Sequence, residues 1–370
     1  WPSTSFARDR LAAAHLVMAK KIVGFGNPLL DISANVEQAV LDEWGAQLNN
    51  AILAEEKHQP LYAKLASTHA VEYIAGGATL NSIRVAQWLL TSAEKGSCTS
   101  FIGCIGTDEF GAKMEEQLSA DKVTPLFMKT TDTPTGTCAV LVKEKERSLI
   151  ANLASAEKYS IEHFKSVQPT IDAAQIFYMA GFPLTHEGGA ATVAAICKHA
   201  AEQDKTVCMN VSAPFIAIVP PFRAALLEAL KFCTFVFCNE SEAATLAENM
   251  GWTDCSDTKA IALKMATLPS EKAGGLTAVV TQGSDATLVA KADGSISVYE
   301  VKGNPWTLSA ENLVDTNGAG DAFVGGFLSQ LAISSDEATC VRVGHFAAGT
   351  IIQQSGCTCP PMDTVSKVLG

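Results

Sequence analysis

From residue 155 onward, apolar runs of strand length alternate with amphipathic stretches of helix length, and this alternation constrains the fold more than any other feature. Strand-like residues 176–180 precede helix-like 187–203, 206–211 precede 222–230, 234–238 precede 240–249, and 276–281 ends the series. Parallel neighbours need a crossover of about a dozen residues or more, which a helix supplies. The pattern therefore predicts an α/β fold with a mostly parallel central sheet and helices on both faces. Residues 286–301, broken at Ala292-Asp293-Gly294, read as an antiparallel hairpin at the far end of that sheet, and two helices, 318–331 and 336–355, close the chain. At 370 residues the chain can hold one large domain, or a large one with a small companion.

The first half is less regular. Residues 21–32 read as one buried strand from which two polar groups, Asn27 and Asp31, emerge. Polar groups at strand ends commonly face a ligand cleft in α/β sheets, although an aspartate capping a turn looks the same in sequence. Gly24-Phe25-Gly26-Asn27-Pro28-Leu29 fails as a dinucleotide motif, because Leu29 stands where the third glycine belongs and no helix follows. Further on, Gly76-Gly77 separates a strand from a helix whose first turn carries Asn81, and Asp108 is placed to cap a helix over 108–121. Residues 136–142 and 147–153 read as a hairpin. The short strands of segments 32–75 and 122–155 look like excursions forming a small β-sheet lid. Residues 1–19, with Arg8, Arg10 and few acids, read as a leader or disordered N-terminus, a transit-peptide reading remaining open, ahead of a folded part over 20–370.

Charge narrows the partners. With 27 Lys and Arg against 39 Asp and Glu, a net charge of −12 disfavours nucleic acid and anionic membranes, and no apolar run reaches the ~18 residues of a membrane span. The eleven cysteines fall mostly inside apolar runs and read as reduced thiols of a cytoplasmic or nuclear protein. His15, His58, His69, His163, His186 and His199 assemble into no triad or metal set and read as structural or exposed.

The chemistry is concentrated in Asp315-Thr316-Asn317-Gly318-Ala319-Gly320-Asp321, which runs into an apolar helix. Backbone N–H groups of Gly318, Ala319 and Gly320 can converge on an anion, and the helix dipole adds positive character. A carboxylate, Asp321, beside a phosphate cradle makes sense when a cation or a reacting hydroxyl lies between them, which points to phosphoryl transfer. No Walker-type phosphate loop is present to do the same work.

Taken with Gly76-Gly77 and Asn81, and with Asn239-Glu240-Ser241-Glu242, this stretch resembles the ribokinase-like carbohydrate and nucleoside kinases over residues 21–361. Asn27-Pro-Leu-Leu-Asp31, Arg147-Ser-Leu-Ile-Ala-Asn-Leu153 and Asn210-Val-Ser-Ala-Pro-Phe215 are similar to the adenosine kinases within that group. The resemblance implies transfer of the γ-phosphate of ATP, with magnesium, to the 5′-hydroxyl of adenosine, in a cytoplasmic monomer. It implies that Asp321 orients and deprotonates the hydroxyl, and that Arg147 swings in with the lid to meet phosphate. Asp31 would hold the ribose with help from Asn27, Gly76, Gly77 and Asn81. Leu29, Leu53, Leu149, Leu153, Phe182 and Phe215 would wall the adenine. Asn239, Thr281, Gly283, Asn317 and His345 would serve the ATP side, with Asn239 and Glu242 holding magnesium, Glu242 through water. A helix N-terminus is expected to keep Asp321 ionised and weakly basic. Pro183 departs from the family pattern beside the adenine wall. Another sugar or nucleoside kinase, or a catalytically silent nucleoside-binding regulator, stays open as an alternative reading.

Overall fold

The computed structural model describes residues 18–361 except 49, 145 and 302–311. The leader expected over 1–19 lies almost wholly outside the described residues. In chain order the strands are β1 (Ile22–Phe25), β2 (Leu29–Asn35), β3 (Asn50–Leu53), β4 (Glu72–Gly76), β5 (Thr99–Gly106), β6 (Thr124–Thr130), β7 (Thr137–Lys143), β8 (Glu146–Asn152), β9 (Ile176–Ala180), β10 (Thr206–Asn210), β11 (Phe235–Asn239), β12 (Thr277–Gln282), β13 (Asp285–Lys291) and β14 (Ile296–Tyr299). The helices are α1 (Gln38–Trp44), α2 (Gln59–Thr68), α3 (Ala78–Ser92), α4 (Glu109–Ala120), α5 (Ile161–Ser166), α6 (Gln168–Ala173), α7 (Glu187–Glu202), α8 (Pro214–Ile218), α9 (Pro220–Leu230), α10 (Glu240–Asn249), α11 (Thr258–Ala266), α12 (Ala319–Ala332) and α13 (Glu337–Ile351).

The large sheet runs β14-β13-β12-β11-β10-β9-β1-β5-β6, parallel except for the terminal hairpin β12-β13-β14. Its strand order reverses at β1 and β9, the point at which α/β sheets open a crevice beyond their carboxyl ends. One face is covered by α7, α9, α10 and α11, with Phe177, Met179, Val207 and Val280 buried beneath them. The other is covered by α3, α12 and α13, over Tyr178, Phe237 and Val279. A second sheet, β3-β8-β7-β2-β4, packs against α1 and α2 and stands over the crevice.

Two sequence readings change. Residues 21–32 are two strands in different sheets, broken at Gly26-Asn27-Pro28, where Pro28 offers no N–H to continue a ladder. Residues 124–130, placed in the lid from sequence, form β6, an edge strand of the large sheet parallel to β5. The second excursion therefore gives the small sheet β7 and β8 alone.

Helix α12 is wedged between α3 and α13 because small residues let the backbones touch. A Cβ on Gly325 would lie 2.6 Å from the Ser82 carbonyl oxygen, and one on Gly326 2.5 Å from that of Val343. Adding a single methyl by Gly326→Ala must push α13 away, so it should cost about 1–3 kcal/mol of stability. Urea titration should show a lower midpoint at unchanged slope, and an unmoved midpoint would contradict this packing.

Candidate active site

The crevice is a cavity of about 940 Å³ between the two sheets. Its floor forms where β1 ends. Asn27, Leu29 and Asp31 follow one another along the passage from the large sheet into the small one, and all three line the cavity. Gly77 caps the N-terminus of α3 at φ +102, an angle that favours glycine, and a Cβ there would overlap the Asn27 carbonyl oxygen. That turn delivers Asn81, whose Nδ2 donates to Asp321 Oδ2 at 2.9 Å. The buried Oδ1 of Asn81 has no partner among the described residues, nor does Asn27 Nδ2. The floor thus offers a ligand one donor and one acceptor at fixed positions.

Asp321 lies in the first turn of α12, behind Gly318 in the left-handed conformation at φ +77. Of the three expected cradle donors, Ala319 N–H is already turned to the Thr316 carbonyl at 3.3 Å. The first N–H groups of a helix have no intrahelical acceptor, so the turn still offers donors to an anion.

Burial dominates the electrostatics. The Asp321 carboxyl is raised to about 6 by desolvation, against the opposing hydrogen bond from Asn81. Desolvation also lifts Asp31 to about 7, with Arg147 pulling down and the Asp321 charge pushing up. Glu242 reaches about 7 for the same first cause, opposed by the Asn239 backbone hydrogen bond. The expectation that a helix start keeps Asp321 weakly basic is therefore corrected, desolvation being the largest influence on its carboxyl.

Arg147 projects from β8 of the small sheet into the cavity and is 5% exposed, which excludes a solvated hairpin charge. It makes an ion pair with Asp315, itself fully buried. Asp315 also accepts from Asn317 N–H at 2.9 Å and from Gly356 N–H at 2.8 Å. The small sheet, the cradle turn and the loop after α13 are thereby tied to one carboxylate.

The structure brings most of the expected residues together. Leu53, Leu149, Leu153, Phe182 and Phe215 give the cavity apolar walls, with Phe182 and Phe215 6.0 Å apart between ring centres. Asn239, Glu242, Thr281, Asn317 and the Gly318–Asp321 turn give it polar ones. Three expected residues stand apart from the lining. Gly76 packs against the site instead, because a Cβ there would overlap the Asp31 carboxylate. Gly283 sits in the turn between β12 and β13 at φ +56. His345 is buried within the helix layer, bonded to Thr287 Oγ1 at 2.8 Å and packed on Phe323. Sequence reasoning missed the wall built by α8 and the start of α9, including Ile218 and Phe222, and the polar Asn210 and Ser212 after β10. The stretch Asn210 to Phe215 was the available signal.

Glu242 fills the helix-start role as well as facing the cavity. Its carboxylate accepts from Asn239 N–H at 3.0 Å and Asn239 Nδ2 at 3.1 Å, while its own N–H donates to Asn239 Oδ1 at 2.8 Å. Among the described residues no group of three or more His, Cys, Asp or Glu forms a ready metal cage.

The model of the pfkB family of carbohydrate kinases matches residues 41–364. The chain belongs to that family. Among curated relatives, adenosine kinase 1 of Arabidopsis thaliana is 45% identical over 344 residues, covering 92% of this chain and 96% of the relative. The Anopheles gambiae adenosine kinase, solved in complex with P1,P4-di(adenosine-5) tetraphosphate, superposes with a TM-score of 0.85 at 41% identity, covering 91% of this chain and 96% of the other. The Schistosoma mansoni adenosine kinase, solved with 2-fluoroadenosine, gives 0.86 at 32%, covering 94% and 99%. The ribokinase-like fold and the likeness to adenosine kinases expected from sequence are both borne out, and the cavity of this pfkB kinase spans the residues on which that likeness rested.

A carboxyl raised by burial contributes stability that is complete below the ordinary carboxylate range and is lost as pH rises through its folded value, about 6 for Asp321. Asparagine suffers no such loss. Without ligand, Asp321→Asn should therefore gain melting temperature relative to the native chain as pH goes from about 5 to about 8. Scanning fluorimetry reads the difference, and a gap that stays constant or shrinks with pH would count against the assignment.

Proposed function

We propose that this pfkB kinase transfers the γ-phosphate of ATP to the 5′-hydroxyl of adenosine, giving AMP. One observation carries the reading: a half-buried carboxylate, hydrogen-bonded by Asn81, lies at the head of a helix behind a glycine turn, in one cavity lined by both apolar side chains and polar groups. The near-full-length similarity to adenosine kinases supports the choice of acceptor.

The apolar walls, with Phe182, Phe215, Leu53 and Leu149, take the purine. Asp31 and Asn81 Oδ1 accept from ribose hydroxyls, and Asn27 Nδ2 donates. Asp321 accepts the proton of the attacking hydroxyl. Its value near 6 makes it a better acceptor than an ordinary carboxylate, while still largely ionised at neutral pH. Transfer passes through a loose transition state, so orienting the hydroxyl and stabilising charge outweigh proton removal. The Gly318–Gly320 turn and Arg147 supply that stabilisation. Arg147 must exchange Asp315 for phosphate, which movement of the small sheet, formed by segments 29–76 and 137–152, allows. Closure also excludes water and suppresses idle ATP hydrolysis.

A magnesium ion fits beside Glu242, whose carboxylate is buried, lines the cavity and is held near 7 by the cost of its charge. Magnesium keeps several waters and takes few protein ligands, so Asn239 and Glu242 suffice to hold it through water, with no cage required. When bound, it neutralises charge on the phosphates. Thr281 and Asn317, which line the same cavity, would face the nucleotide.

We further read the chain as a cytoplasmic monomer. All eleven cysteines are free of disulfides, which fits a reducing compartment. Light scattering showing a dimer would correct the oligomeric part.

The functional test is a coupled assay with adenosine, inosine, ribose and fructose as acceptors. Adenosine should be strongly preferred, and turnover of a sugar alone would overturn the reading. Asp321→Asn should lower kcat by at least about a hundredfold while adenosine affinity stays within about tenfold. A variant with near-native kcat would remove Asp321 from the mechanism.

A further inference from the structure

His186, read from sequence as a structural histidine, sits at the β9–α7 connection within reach of the cavity floor. It is the N-cap of α7, and its Nδ1 accepts from Gly189 N–H at 3.1 Å. A neutral imidazole carries one proton, so an accepting Nδ1 places that proton on Nε2. Nε2 lies 3.1 Å from Asn27 Oδ1 and must therefore donate to it. The amide of Asn27 is then fixed in direction, its oxygen toward His186 and its Nδ2–H2 arm left over. That arm is buried without a partner among the described residues, on a side chain 7% exposed that lines the cavity. The reversed amide would need a bare Nε2, hence a proton on Nδ1 facing the Gly189 N–H, two donors opposed.

The local sequence is built for this seat. A Cβ on Gly189 would overlap the Pro183 carbonyl oxygen and lie 2.6 Å from His186 Cε1 and 2.8 Å from Nε2, so the imidazole stands where a side chain at 189 would have to be. Burial holds His186 down to about 4, which keeps the ring neutral and the tautomer single at ordinary pH.

We propose that His186 is a positioning residue for substrate: by way of its helix-capping tautomer it holds the Asn27 amide with Nδ2–H2 presented to an acceptor atom of the bound nucleoside, a sugar oxygen or a ring nitrogen. Helix start and substrate contact share one ring. The inference rests on the nucleoside reading above and assigns a residue to the same site.

Steady-state kinetics with adenosine test it. His186→Ser keeps a good N-cap but cannot reach Asn27. It should raise the KM for adenosine about 3- to 10-fold, the worth of one oriented hydrogen bond, with kcat within about twofold and a near-native melting temperature. In an Asn27→Ala background the same substitution should move KM by less than about twofold, a coupling that a purely structural role would not produce. A native KM for His186→Ser, or equal effects in both backgrounds, overturns the proposal. If the serine variant loses its fold, calorimetric titration of His186→Asn with adenosine carries the same comparison. A native chain inert toward adenosine would sink the nucleoside reading and this inference with it. A native chain that turns adenosine over while His186→Ser is silent sinks the inference alone.

Discussion

Asp315 is the point on which the parts of this kinase converge. Its carboxylate receives the cradle turn through Asn317 N–H, the loop after α13 through Gly356 N–H, and the small sheet through Arg147. A carboxylate with no exposure is costly unless its charge is matched and its lone pairs are used, and here both conditions hold. Removing one partner would leave the other charge stranded, which explains why so much structure meets at one side chain. The same economy makes Arg147 available: a guanidinium already desolvated and already inside the cavity needs to change partners rather than enter from water.

Three further acids are held in the same cavity at a cost. Asp31, Glu242 and Asp321 are raised in pKa chiefly by loss of water, and among the described residues neither Asp31 nor Asp321 has an ion-pair partner of its own within hydrogen-bond reach. In the empty chain this is destabilising, and under the proposed function the complementary groups would belong to ligands: hydroxyls for Asp31 and Asp321, a hydrated cation for Glu242. The buried orphan atoms of Asn27 and Asn81 follow the same logic. Stability withheld from the folded chain is returned when substrate binds.

The large sheet was legible because its strands are short apolar runs separated by helices of crossover length, and residues 176–180 and 240–249 match β9 and α10 end to end. Neighbouring features were hidden for physical reasons. The strands β1 and β2 are both apolar, so the run across residues 21–32 conceals that Pro28 moves the chain from one sheet to the other. The strand β6 carries Pro125 and mostly half-buried residues at a sheet edge, and neither period shows in it. Motif glycines that shape the cavity through the backbone, such as Gly77 and Gly318, were readable from their spacing. Which other residues reach the cavity was less so. His345 lies one turn beyond Val341, which is fully buried, so its helical face already argued for the core rather than the cavity. His186 was unreadable because its partner, Asn27, is 159 positions away.

The passage Gly26-Asn27-Pro28 carries the chain from the large sheet into the small one, and its middle residue also lines the cavity floor. Among the described residues the chain crosses between the sheets three more times, after β4, before β7 and after β8, so this tripeptide is one of four links. At Asn27 link and floor are the same residue, so a ligand braced there would press on one of the joints that hold its own cover.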